Sequence, residues 1–350
     1  MAVYIKGIAS ITAQHTFNQD NWLQPVPETA LTCMPTIEPD YKAFIAPMQI
    51  RRMSKVVKMG VAAASKALED AHIALPDAIT IGTAYGCLND TEVFLSRMLD
   101  QQEEMLTPTA FIQSTHNTIA GQIALLMGCN AHNLTYVQRG FSFETALLES
   151  LLLLAENPDH YILCGGIDEM TPTVQAILQR VGAYRTEPAL PSQLLQQPLQ
   201  GAIAGDGASC MILAGDARGA YAEIAGLHTF NKPASADVTL AQIHTFLEQH
   251  GLTLEDVDGI VIGVNGDERN DSVYHDVLPE GVTIIGYKHL TGEYPTASAF
   301  GTVLAAQLLK GAVLPAEWCL HKAHDRQPQN LLVWHHYKNY YHTLTLLKAC

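Results

Sequence analysis

Residues 134–150 read LTYVQRGFSFETALLES, and this stretch carries the pattern that decides the fold. A short β-prone run is followed by a tight turn at Gly140 and by an apolar helix that we expect to continue to about Ala155. Exposed N–H groups at the start of a helix favour negative charge, lower the pKa of a thiol and stabilise an oxyanion. The unit therefore predicts an α/β protein and marks the turn as a candidate site.

The turn offers no thiol, but Ser142 lies two residues after Gly140. In one interpretation Gly140 makes the turn and Ser142 caps the helix. In the other, Ser142 is a nucleophile on a strand–turn–helix elbow. The elbow pattern G-x-S-x-G ends here at Glu144 instead of glycine, so it is only partly met. Both interpretations stay open from the sequence.

Composition predicts a large buried core, because 48% of the 350 residues are hydrophobic and only 16% are charged. No run approaches the roughly 18 apolar residues that a membrane span needs. The N-terminal residues lack the basic stretch and long apolar run of a secretory signal. We therefore expect a cytoplasmic protein that does not enter a membrane.

The formal net charge is −15, which argues against nucleic acid and anionic membrane surfaces as partners. The seven cysteines are scattered, and none forms a CxxC pair or a Cys/His cluster with metal-ligand spacing. We predict neither a bound metal nor a cofactor.

An internal duplication is the main organising feature. A helix over 55–71 with one apolar stripe precedes a strand at 78–81 and a small-residue loop. The same order returns as a helix over 240–250, a strand at 259–264 and the loop 265–267. We therefore divide the chain into an N-terminal half, 1–215, and a C-terminal half, 216–350.

A second pairing extends the duplication. The apolar helix that ends at Met127 is paired with a helix over 296–309, and each leads into a β-rich segment. The stretch 188–198, rich in Gln, Leu and Pro, is interpreted as a surface excursion. The C-terminal residues predict two strands joined at Lys338 and Asn339.

The order and spacing of further landmarks resemble the β-ketoacyl synthase group of the thiolase superfamily. These landmarks are Arg52-Met53-Ser54, 67–73, the loop 82–86, 108–121 with Asn117, 165–170, 205–208, 222–226 and the loop 288–292. The resemblance implies a thiolase-like fold, a duplicated α-β-α-β-α core of five layers.

Condensing enzymes of that group use a cysteine at the turn before the central helix and two histidines in later loops. By the resemblance, the cysteine position falls on Gly140 and the histidine positions on Asn265 and Glu293, while a neighbouring lysine is kept as Lys288. Asparagine cannot exchange a proton near neutral pH. A carboxylate about 4 Å from a malonyl carboxylate would repel it by several kcal/mol. The sequence therefore predicts that ordinary Claisen condensation is lost.

Four other residues are candidates for the pocket that the resemblance implies. Cys87 follows the loop 82–86, His116 and Asn117 lie in a segment that contributes to the subunit contact, and Phe141 follows the glycine turn. Packing or surface roles are the alternatives for each. The acidic pair Asp168-Glu169 is interpreted as scaffold.

Because it lacks this catalytic set, the chain resembles the chain-length-factor subunits of polyketide and aryl-polyene systems. In those systems an inactive homologue pairs with an active ketosynthase and shapes the acyl-chain cavity. The resemblance implies such a heterodimer, or a homodimer. Acyl carrier protein would bind mainly through the partner, because a chain of net charge −15 repels an acidic carrier.

Two alternatives remain. One is an acyltransferase or thioester hydrolase on the same fold that uses a non-standard nucleophile such as Ser142. The other is a condensing enzyme with a misaligned central turn, against which stands the absence of any cysteine between Cys129 and Cys164. The sequence leaves open whether the chain is itself an enzyme.

Overall fold

The computed structural model describes residues 2–17, 29–196, 198–324 and 326–350. Strands β1 to β13 span Val3–Ile11, Cys33–Met34, Ala78–Gly82, His132–Tyr136, Tyr161–Asp168, Ala204–Gly205, Gly207–Ala214, Ala222–Asn231, Gly259–Ile262, Thr283–Gly286, Cys319–His321, Asn330–Tyr337 and Tyr341–Lys348. Helices α1 to α12 span Pro47–Ile50, Lys55–Asp70, Leu88–Asp100, Pro108–Gln113, Thr118–Met127, Ser142–Glu156, Pro172–Arg180, Gln193–Gln196, Ala236–Gln249, Glu268–Val277, Lys288–Thr291 and Ser298–Lys310. This mixture of helices and strands confirms the predicted α/β class.

The duplication is visible in the sheet topology, because two groups of five strands repeat the same order of pairings. One half of the sheet has the strand order β1-β7-β5-β3-β4, and the other has β8-β13-β12-β9-β10 with β11 added outside. In each half the first two pairings are antiparallel and the last two are parallel. The halves join where β1 pairs with β8 over three residue pairs.

The helices form layers on both faces of the two half-sheets. Helices α2 and α5 cover the outer face of the first half, and α9 and α10 contribute to the core outside the second. Helices α6 and α12 lie between the halves, where their apolar residues share one core with β1 and β9. The order helix, sheet, helices, sheet, helix is that of the five-layered core implied by the resemblance.

One predicted pairing is wrong. The partner of α12 in the duplication is α6 and not α5, since α6 follows β4 and α12 follows β10 at equivalent sheet positions. All three helices are apolar, so hydrophobic patterning alone does not distinguish them.

Two segment predictions also change. Helix α9 begins at Ala236, four residues before the predicted start, because the side chain of Ser235 accepts a hydrogen bond from Val238 N and caps it. The stretch 188–198, apart from residue 197, is not simply a surface excursion: Ala189 and Leu194 are buried beside Met34.

Within the described ranges, no helix has both the length and the apolar character needed to cross a bilayer.

Candidate functional site

The turn before the central helix α6 is a 3₁₀ turn, Arg139–Phe141. Its left-handed residue is Arg139, with φ of 53°, and not the predicted Gly140. Gly140 is required for another reason: a Cβ at this position would lie 2.7 Å from the Cβ of Tyr337 and 2.8 Å from the Cβ of Tyr341. The hairpin of β12 and β13 therefore fills the space that any side chain at residue 140 would need.

Ser142 is fully buried and is the first residue of α6. Its hydroxyl donates to Arg139 O at 2.8 Å and accepts from Gln138 N at 2.9 Å. The hydroxyl thus braces the turn, whereas the N-cap residue is Phe141, which makes no side-chain cap. Within the described residues, neither a histidine nor a carboxylate contacts Ser142 to activate it.

We expect Ser142→Ala to lower the free energy of unfolding by about 1 kcal/mol, because the partly buried N–H of Gln138 loses its acceptor. Chemical denaturation measures the change, and Ser96→Ala, at an exposed serine on α3, is the matched control. A Ser142→Ala protein as stable as the parent would contradict the bracing role.

The residues at the two histidine positions bond to each other. Glu293 Oε2 accepts from Lys288 Nζ at 2.6 Å and from Asn265 Nδ2 at 2.5 Å. The exposed fractions of the Lys288 and Glu293 side chains are 0% and 4%, so water does not screen this ion pair. Lys288 Nζ also donates to His336 O at 3.4 Å.

Backbone contacts hold the two loops in place. Glu293 N donates to Ile203 O at 2.8 Å, and Tyr184 donates its hydroxyl hydrogen to Glu293 O at 3.1 Å. The loop at Asn265 is tied down by Asp271, whose carboxylate accepts from Asn265 N and Gly266 N. Burial raises the pKa of Asp271 to about 7, although these hydrogen bonds oppose the rise.

Two of the predicted positions, Asn265 and Glu293, line a cavity of about 280 Å³, whereas Gly140 and Lys288 do not. It lies between the segment after α7, the Asn265 loop and the β12–β13 hairpin, and Asn265, Glu293 and Tyr337 line it. Tyr337 also packs against Gly140 and lies 3.1 Å from the Tyr85 hydroxyl, oxygen to oxygen. Phe141, predicted as a pocket residue, packs edge-on against Tyr341 with ring centroids 5.0 Å apart.

The other pocket candidates do not line this cavity. Cys87 is buried, and burial raises the pKa of its thiol, so the thiolate is disfavoured. His116 and Asn117 are both exposed; His116 lies beside Gly86, and Asn117 is at the start of α5. Their assignment to an acyl pocket stays a prediction.

Asp168 and Glu169 hold loops by accepting hydrogen bonds. The Asp168 carboxylate accepts from Ala84 N, Tyr85 N, and the hydroxyls of Thr83 and Thr296. Glu169 accepts from Val56 N and Asn89 N. Both side chains serve as scaffold.

A group of buried histidines beside the site was not predicted. His335, His336 and His342 on the hairpin have at most 1% exposure. Burial lowers the pKa of His336 well below its usual value and that of His342 to about 4, so both imidazoles are neutral near pH 7. The run Trp334-His335-His336-Tyr337 is buried on both faces of β12, so strand alternation in the sequence gave no signal for it.

Beside the sheet edge lies an exposed apolar surface, which we call the β4 face. Strand β4 is the last strand of its half-sheet, and it carries exposed Leu134. The other exposed apolar residues of the β4 face are Leu95, Leu99, Phe111, Ile112, Leu125, Val137, Leu148 and Leu152. Several exposed apolar side chains on β4 and the helices α3 to α6 are typical of an interaction site.

Comparisons with known proteins agree with this fold. Residues 22–195 match the family model described as "Beta-ketoacyl synthase, N-terminal domain". The structure titled "The ishigamide ketosynthase/chain length factor" is 17% identical with a TM-score of 0.81, over 100% of this chain and 99% of that chain. A β-ketoacyl synthase from Burkholderia phymatum STM815 is 18% identical with a TM-score of 0.79, over the same shares.

A third solved structure is titled as a type II PKS acyl-carrier protein in complex with its ketosynthase. It is 14% identical with a TM-score of 0.75, covering 100% of this chain and 99% of that chain. At these identities the structures establish the fold alone. No curated protein sequence matches the chain.

Proposed function

Because the chain belongs to the β-ketoacyl synthase family, we propose that it is a non-condensing, chain-length-factor-like subunit. It would pair with an active ketosynthase in fatty-acid, polyketide or aryl-polyene type biosynthesis and shape the cavity that holds the acyl chain. The proposal includes a cytoplasmic location and the division of the chain into residues 1–215 and 216–350.

The observation that carries the proposal is the filled space at Gly140. A condensing enzyme of this family carries its acyl chain on a cysteine at the turn before the central helix. Here residue 140 has neither a thiol nor room for a Cβ, because Tyr337 and Tyr341 approach within 2.8 Å of that position. An acyl group therefore has no attachment point at the turn.

The residues at the histidine positions support the same conclusion. Lys288 and Asn265 each commit one hydrogen to the same carboxylate oxygen of Glu293. A carboxylate at this place also repels a malonyl carboxylate. The residues at the two histidine positions, Asn265 and Glu293, provide no imidazole that could assist the decarboxylation of a malonyl unit.

The β4 face supports a partner subunit. Its edge strand can pair across a two-fold axis and continue the sheet, while the apolar side chains on α3 to α6 become buried. Each copy carries a net charge of −15, so two identical copies would bring like charges together. This favours a less acidic ketosynthase over a second copy as the partner, with the carrier protein bound mainly by that ketosynthase.

Incubation with an acyl-carrier thioester, followed by intact-mass measurement, tests whether the chain can be acylated. We expect no acyl adduct on the isolated chain, and, in a mixture with a ketosynthase partner, an adduct on the partner alone. The partner serves as the positive control in the same sample. A stable acyl adduct on this chain would overturn the proposal.

A charged residue in the β4 face should weaken subunit pairing. We expect Leu134→Asp to raise the dissociation constant of the dimer at least about tenfold, because the carboxylate must be desolvated at the centre of an apolar interface. Sedimentation of the chain coexpressed with its ketosynthase measures the change.

The matched control is Val313→Asp, which places the same charge on a residue that is 82% exposed after α12. We expect that variant to pair like the parent. Equal pairing by both variants would show that the β4 face is not the interface.

A further inference from the structure

The loop that follows β9 contains the one Asn-Gly pair of the sequence, Asn265-Gly266. An asparagine followed by glycine is prone to deamidation, because glycine has no Cβ to hinder the attack of its backbone nitrogen on the asparagine side chain. Gly266 is also left-handed, with φ of 85°, so a residue with a side chain would be strained there. The pair therefore combines a reactive sequence with a backbone that requires the glycine.

Deamidation of such a pair runs through a succinimide ring. The backbone nitrogen of Gly266 bonds to Cγ of Asn265, the Cγ–Nδ2 bond breaks, and ammonia leaves with the proton that the backbone nitrogen gives up. Water then opens the ring at either carbonyl, which yields aspartate or isoaspartate. The net change exchanges one amide for one carboxylic acid, and water is the only other reactant.

In the native loop the groups that must react are held by hydrogen bonds. Gly266 N donates to Asp271 Oδ2 at 2.6 Å, so the nucleophile is tied to a carboxylate. Asn265 Nδ2 donates to Glu293 Oε2 at 2.5 Å, and Asn265 Oδ1 accepts from Asp267 N at 2.9 Å. Asn265 is 2% exposed, so its side chain has little freedom to reorient. The native contacts therefore oppose ring closure.

We propose that Asn265 is a latent deamidation site, which is closed in the native loop and reacts from locally opened states. Folded proteins open locally at a free energy below that of global unfolding. Because the reaction releases ammonia, an opening that leads to it is not reversed by refolding. The site is independent of the proposed partner role, since it requires neither an acyl thioester nor a second subunit.

The product would break the buried network from which it arose. A carboxylate at residue 265 replaces the N–H donor by an acceptor, opposite Glu293 Oε2. Lys288 would then face two carboxylates, and the side chains of Lys288 and Glu293 are 0% and 4% exposed, so water does not screen the repulsion. Deamidation would thus convert a brief opening into a lasting loss of native contacts.

Peptide mapping by mass spectrometry tests the site, with the folded chain and the urea-unfolded chain incubated side by side at neutral pH. We expect the unfolded chain to gain aspartate and isoaspartate at residue 265 faster than at any other asparagine. The folded chain should react there at least about a hundredfold more slowly. Equal rates in the two states, or a faster reaction at another asparagine of the unfolded chain, would overturn the proposal.

The Gly266 amide reports the opening without any substitution, since its N–H must leave Asp271 before the nitrogen can attack. Hydrogen exchange of this amide, followed by NMR in the parent protein, measures how often that happens. We expect the factor by which folding slows deamidation to match the protection of the amide against exchange within about tenfold. A larger mismatch would show that another route leads to the reaction, and the assignment would fail.

Loosening the network should speed the reaction in the folded chain. Glu293→Leu removes the acceptor of the Asn265 amide, so we expect deamidation at least about tenfold faster than in the parent. Glu69→Leu is the matched control, because Glu69 belongs to the exposed pair with Lys66, and this variant should deamidate like the parent. An unchanged rate in a folded Glu293→Leu protein would contradict the protective role of the network.

Discussion

Gly140→Cys will not create a condensing enzyme, and it will lower the free energy of unfolding by about 1–3 kcal/mol, the range for an overpacked core. The new Cβ would lie 2.7 and 2.8 Å from the Cβ atoms of Tyr337 and Tyr341, so strands β12 and β13 or the turn must move. Chemical denaturation measures the loss of stability, and intact-mass analysis with an acyl thioester measures the absence of acylation.

Matched variants test whether the steric contact with the hairpin causes the loss of stability in Gly140→Cys. Gly121→Cys introduces the same residue where a Cβ would meet nothing within 4 Å, and we expect it to leave stability nearly unchanged. Tyr337→Ala should not relieve Gly140→Cys, because alanine keeps the offending Cβ, whereas glycine at both 337 and 341 should relieve it. A Gly140→Cys protein as stable as the parent and readily acylated would refute both the steric argument and the proposed function.

Lys288→Met will lower the free energy of unfolding by about 3–5 kcal/mol, the usual cost of removing one partner from a buried ion pair. The variant leaves the Glu293 carboxylate 4% exposed with Asn265 as its remaining donor. Methionine is close in length to lysine, so the loss reflects charge more than a cavity. Equilibrium denaturation at pH 7 measures it.

The exposed pair of Lys66 and Glu69 is the control. Their side chains are 29% and 64% exposed, so Lys66→Met should cost less than about 1 kcal/mol. The double variant Lys288→Met with Glu293→Leu removes both charges and should recover most of the lost stability. A loss below about 1 kcal/mol in Lys288→Met alone would mean that the pair contributes little.

Local patterns predicted the α/β class and many individual elements, whereas the five-layered order was implied by the family resemblance. The apolar stripe of α2, the strands β3 and β9 and the hairpin turn at Lys338 and Asn339 all follow from residues within a few positions of one another. The duplication followed from the repeated order of such elements. The correspondence of α12 with α6 did not, because it depends on strand positions in the sheet and not on hydrophobic periodicity.

The sequence supplied candidate residues for the site, which stay predictions, but not the contacts between them. Gly140 was interpreted as a turn glycine, since nothing near it in the sequence reveals Tyr337 and Tyr341 about 200 residues later. The bonding of Lys288, Asn265 and Glu293 likewise depends on two loops from different strands. The imidazoles of His335 and His336 are buried because β12 lies inside the sheet, a fact that only topology supplies.

The close approach of the hairpin to Gly140 has an evolutionary consequence. If an ancestor of this chain carried a cysteine at residue 140, the present Tyr337 and Tyr341 conformation arose with or after its loss, since the two cannot coexist. A single back-mutation at residue 140 now meets a steric barrier, which substitution of both Tyr337 and Tyr341 by glycine would relieve. If the proposed function holds, neither of those substitutions restores condensation by itself, so selection for condensation would not favour them and the divergence is hard to reverse.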